Sequence, residues 1–154
     1  MHWTKPFQAL ALAGFSVSVT SHFLAITGMM EAFPSSVMLL HGGVFIVFIP
    51  AAIVGSRAAK GIPRKDVWKV MLAHCPAWLR RVFWSVCIYA LLNFMTFTFT
   101  VSTGMPTGKD SPLGVGAAVV RAFSGHWMVF YLAAFVILYS EERRKRQAAE
   151  ETVR

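Results

Sequence analysis

Three histidines, His22, His41 and His126, lie inside long apolar runs of the chain. A polar ring is costly against hydrocarbon, so each imidazole needs a partner within the protein or a bound group. Neutral imidazole offers two kinds of chemistry. It ligates haem iron or a transition metal through one ring nitrogen, or it donates a hydrogen bond at one nitrogen and accepts at the other. At about 1.5 Å of rise per residue, His22 lies roughly 12 Å below the outer end of its run and His41 roughly 9 Å below the outer end of the next. His126 follows Arg121 closely, at a similar depth. Three helices thus contribute imidazoles to one layer, and the run without a histidine contributes Asn93 and Thr96.

One b-type haem is the cofactor this layer suits. His41 and His126 are its expected axial pair, His22 a supporting donor or substitute ligand, and Asn93, Thr96 and Ser21 the surrounding hydrogen-bonding groups. If the four helices follow one another around a square, the second and fourth are diagonal, at roughly 12 to 14 Å for neighbours 8 to 10 Å apart. That gap admits a haem plate. A transition metal held by His22, His41 and His126 together is the alternative, although the carboxylates that usually support such ligands are missing from the runs. A further reading needs no ligand: the imidazoles join Asn93, Thr96, Thr20, Ser21 and Ser124 in a network that keeps helices in register. A quinone, lipid or proton-linked site is also compatible with these residues. Gly42, Gly43 and Gly125 leave space beside the imidazoles, for a flat ligand or for close helix packing. Gly14, Ser18, Ser21, Ala25 and Gly28 form a small-residue stripe of the kind that brings backbones together in lipid.

The elements that carry these residues follow from composition. Of 154 residues, 56% are apolar and only 14% charged, and the mean hydropathy is +0.55, too few charges to solvate a globular surface of this size. The expected fold is all-α, an integral membrane bundle of four transmembrane helices in a single domain over 1–154. Its spans are 8–30, 35–55, 82–102 and 119–140, each of the length needed to cross a bilayer. The first run lacks a small-x-small cleavage site and reads as a retained span. A connector, 56–81, separates spans two and three. Within it, Val67, Trp68, Met71 and Leu72 recur at helical spacing between Arg64 and Cys75, which predicts a short interfacial helix. The connection from Thr103 to Gly116 is rich in Gly and Pro and reads as an irregular extracytoplasmic loop. The polar tail, 141–154, is expected to be helical at its start and frayed at its end.

Of the 15 Lys and Arg residues, all but Lys109 and Arg121 fall on one side of a four-span chain. Cationic segments stay on the cytoplasmic side, so both termini are expected there, in a bacterial-type inner or plasma membrane. The formal charge of +8 is therefore read as a topology signal and a contact with anionic membrane lipids, with no nucleic-acid partner. Cys75 and Cys87 fall on the reducing side and do not read as a bridge. The chain has no Cys-x-x-Cys, no Gly-rich phosphate loop and no acidic residue within the spans, so thiol oxidation, nucleotide chemistry and cation-coupled export lack their usual groups. A single layer of histidines also falls short of the two depths that electron transfer across a bilayer requires. No catalytic residue is assigned. The sequence predicts an accessory or complex-forming subunit that meets other membrane subunits or its own copies, with or without the haem. A small carrier of a lipophilic or ionic substrate is the alternative.

Overall fold

The computed structural model describes residues 3–30, 32–102 and 115–152. Four helices in it are long and apolar enough to cross a membrane. Helix α1 spans Thr4–Thr27 and stops where Gly28 takes the left-handed conformation, φ 68°, which carries no Cβ penalty in glycine. Pro34 opens a 3-10 turn, Ser35–Met38, that feeds α2, Leu39–Ala58. A second 3-10 turn, Arg64–Asp66, leads into the short α3, Val67–Met71. Pro76 precedes α4, Ala77–Ser102, and α5 runs unbroken from Ala117 to Thr152. Ala32 and Phe33 pair antiparallel with Gly116 and Val115, which ties the chain entering α2 to the chain entering α5. Of the expected loop Thr103 to Gly116, residues 103–114 lie outside the described residues.

The arrangement is not a sequential square. Helix α5 sits in the middle and packs on α1, α2 and α4, while α1 also packs on α2. The second and fourth spans are therefore neighbours, and the diagonal gap expected for a haem plate is replaced by a packed helix seam. The sequence of α5 explains its place. Small residues such as Ala122, Ser124, Gly125, Ala133 and Ala134 lie on several of its sides and all are buried, so neighbours can approach from more than one direction. Its most apolar window is 67% buried, against 11% for α4.

Two clusters make the core. In one, Trp127, Tyr131, Ala134 and Leu138 of α5 meet Ala11 of α1 and Val47 and Ala51 of α2. In the other, Leu132 and Val136 of α5 meet Leu72, Cys75, Leu79 and Phe83 of the connector and α4. Helix α3 turns its apolar side to the base of this bundle: Leu72 is buried, and the Met71 side chain lies over Gly55 and packs on the first core cluster described above. Asp66 and Lys69 pair on its exposed side at 2.7 Å. The tail differs from expectation, because α5 continues as helix through Thr152 instead of fraying. Glu141 with Arg144 and Lys145, and Glu142 with Arg146, pair at helical spacing along this extension, the pattern that supports a helix in water.

Candidate functional site: a histidine layer around one turn of α5

All three histidines of the long apolar helices reach the same turn of α5. His22 of α1 meets Ser124, His41 of α2 meets Trp127, and His126 belongs to the turn itself. They do not converge on one point. Among the described residues, no three His, Cys, Asp or Glu side chains are grouped as a metal would require, so the three-imidazole metal site, the alternative to haem, is not assembled.

His22 is buried and fully engaged. Its Nδ1 lies 2.7 Å from Ser124 Oγ and its Nε2 lies 2.6 Å from Tyr89 OH on α4. The proton order follows from the next link. Ser124 Oγ lies 3.2 Å from the Arg121 carbonyl oxygen, a contact that is repulsive without a hydrogen between the two oxygens. Ser124 therefore donates to Arg121 and accepts from His22 Nδ1–H, which leaves Nε2 to accept from the Tyr89 hydroxyl. The Arg121 carbonyl also accepts from Asn93 Nδ2 at 3.0 Å, while Arg121 Nε donates to Asn93 Oδ1 at 3.4 Å. One continuous set of hydrogen bonds thus joins α1, α4 and α5. It ends on a backbone carbonyl.

The other side of the turn is open. His41 is half-buried and His126 exposed. Their rings are 6.0 Å apart between centroids and inclined by 17°, with Phe45 and Phe123 edge-on to His41 and Phe130 against His126. The Trp127 indole N–H donates to His41 Nδ1 at 3.3 Å. Indole nitrogen is only a donor, so neutral His41 carries its hydrogen on Nε2. His126 makes no hydrogen bond to a described residue; its neighbours are aromatic rings.

No protein family, curated protein or solved structure matches this chain. The residues alone carry the functional reading.

Tested against a haem, the expected axial pair fits poorly. Iron bound at His41 Nε2 would put the ring hydrogen on Nδ1, where the usual support for an axial imidazole is an acceptor, but the Trp127 indole N–H donates there at 3.3 Å. The space left by the glycines is also taken up by the protein. A Cβ on Gly43 would overlap the Tyr131 hydroxyl, and one on Gly14 would overlap the Tyr131 ring. A Cβ on Gly125 would press on Asn93 Nδ2 at 3.1 Å. Of the three glycines beside the imidazoles, Gly42 alone faces open space among the described residues.

The remaining expected residues divide similarly. Asn93 is buried in the network, whereas Thr96 is exposed and donates to the Leu92 carbonyl. Ser21 is buried beside His22. Gly14, Ser18 and Ser21 of the small-residue stripe are buried, but Gly28 is exposed and serves as the helix stop. Three participants were absent from the sequence reading: Tyr89, Trp127 as a donor, and Tyr131, whose hydroxyl donates to the Leu40 carbonyl at 2.9 Å. Tyr89 precedes Asn93 by one helical turn, so helical spacing was the signal that could have found it.

Proposed function

We propose that this chain is a complex-forming membrane subunit that holds no cofactor of its own, with the His22 network locking its helices and the His126 side meeting another membrane subunit or a second copy. The observation that carries the reading is the contrast across one turn of α5. His22 has both ring nitrogens satisfied within the chain, while His126, about 7 Å along the helix from Arg121, is exposed without a hydrogen bond to a described residue. An imidazole turned out of a bundle at that depth is stabilised by a polar group brought by a neighbour. His41 Nε2–H beside it supplies a donor and His126 an acceptor, so the patch can match a polar helix face.

In this reading both termini are cytoplasmic, in a bacterial-type inner or plasma membrane, in line with the distribution of Lys and Arg. The connector then lies on the cytoplasmic membrane surface, with Trp68 at headgroup depth and Lys69 in water. An impermeant reagent applied from outside should label a cysteine placed at Ser111 in intact cells; labelling only after lysis would reverse the topology.

Photo-crosslinking in native membranes tests the function. A photoreactive residue at position 126 should give adducts well above the 17.1 kDa chain, and the same residue at Ile88 on the outer face of α4 should give mainly lipid adducts. The purified protein should show no Soret band and no stoichiometric metal. Lipid adducts alone at position 126, or a haem spectrum lost in His126→Ala, would overturn the proposal.

A further inference from the structure

One cavity lies far from the histidine layer, at the end of the bundle where α2 finishes and α5 emerges into its charged extension. It measures about 520 Å³, within the range of about 300–1,000 Å³ typical of small-molecule sites. Its lining has two characters. Trp3, Val54, Val70 and Ile137 supply carbon surface, and Arg57, Arg144 and Lys145 supply charge. Glu141 also lines it, but Arg144 holds that carboxylate through paired contacts at 2.8 and 2.9 Å and Lys145 adds a third at 3.3 Å. Three cations against one carboxylate leave the cavity with two positive charges in excess. Arg57 makes no ion pair among the described residues, so its guanidinium is available to an incoming anion. His74 borders the same space and is held by a contact of 2.7 Å between its Nδ1 and Gln147 Oε1.

We infer that this cavity binds the phosphate headgroup of an anionic phospholipid, with Arg57 as the principal anion contact and the Trp3, Val54 and Ile137 surface against the glycerol and the first acyl carbons. Guanidinium matches phosphate oxygens in a bidentate fork. The apolar half distinguishes a lipid from a free phosphate, which would gain nothing from carbon surface. Basic pockets at the ends of transmembrane helices are suited to anionic headgroups. The inference rests on the chain being a membrane protein and does not depend on what His126 meets.

The test uses the full-length protein, delipidated in a zwitterionic detergent, with phosphatidylglycerol, phosphatidylcholine and inorganic phosphate as separate ligands. Native mass spectrometry should show one retained phosphatidylglycerol, bound at least about tenfold more tightly than phosphatidylcholine, the scale expected of a charge-assisted contact. Arg57→Gln should lose that preference and Arg57→Lys should keep part of it. Lys60→Gln, which removes a nearby exposed cation that does not line the cavity, should leave it unchanged. Inorganic phosphate that displaces the lipid at millimolar concentration would identify the occupant as a free anion and overturn the lipid assignment. Equal binding of both lipids, or equal loss in the Arg57→Gln and Lys60→Gln variants, would overturn the site.

Discussion

His22, which contacts Ser124 of α5, and His126, two residues further along the same turn, have opposite circumstances. His22 is enclosed by α1, α4 and α5, with a serine on one nitrogen and a tyrosine on the other. His126 projects from the same turn of α5 onto an exposed aromatic surface beside His41. Both reach the same turn of α5, so level along the bundle alone does not determine what a histidine in an apolar helix does. The helix face decides it, and the face is set by which neighbour the central helix receives on that side.

The largest expected effect lies on the enclosed side. His22→Ala removes the ring that joins three helices and leaves Ser124 and Tyr89 short of partners, with a cost of about 3 kcal/mol in stability. Thermal unfolding in detergent should show it as a large drop in midpoint. His22→Asn, which can reach only one of the two partners, should fall between wild type and alanine. If both variants melt with the wild type, the network does not hold the helices.

Next comes the seam beside it. Gly14→Ala places a methyl group within the Tyr131 ring, which is buried and fixed through its hydroxyl to the Leu40 carbonyl. Overpacking of this kind costs about 1–3 kcal/mol. Gly42→Ala, in open space, should be neutral in the same unfolding assay, and equal sensitivity at the two positions would mean that the packing around Tyr131 is misassigned.

Much of this was legible in the sequence. Hydropathy and length locate four membrane-compatible helices, and helical rise puts His22, His41 and His126 on a common level from the sequence alone. The neighbours of the central helix were not legible. A square order follows from connectivity alone, but the placing of α5 between the others depends on where Ser124, Gly125, Ala133 and Ala134 allow close approach, and small residues are too common in membrane helices to specify a partner. The roles of Tyr89 and Trp127 are not legible, because aromatic residues in such runs serve first as packing or interfacial groups, whatever hydrogens they carry.

Tyr89→Phe sharpens the comparison further. It removes the hydroxyl that donates to His22 Nε2 and should cost about 1 kcal/mol, read as a difference in unfolding midpoint. In the His22→Ala background the same change should cost almost nothing, since its partner has gone. Additive losses in that cycle would separate the two residues. The smallest effect belongs to the open side. His126→Ala should change the stability of the isolated chain by less than about 0.5 kcal/mol, as expected of an exposed position without a hydrogen bond, while reducing the high-mass adducts formed in native membranes.

The protonation of the imidazoles tests the central claim most directly. In solid-state nuclear magnetic resonance of the chain labelled with ¹⁵N at histidine, reconstituted in lipid at neutral pH and assigned by single substitutions, His22 should be neutral with its hydrogen on Nδ1. His41 should be neutral with its hydrogen on Nε2. A His41 or His126 nitrogen shifted by iron or another metal, or a His22 ring with its hydrogen on Nε2, would contradict the reading of this layer as a lock that needs no cofactor.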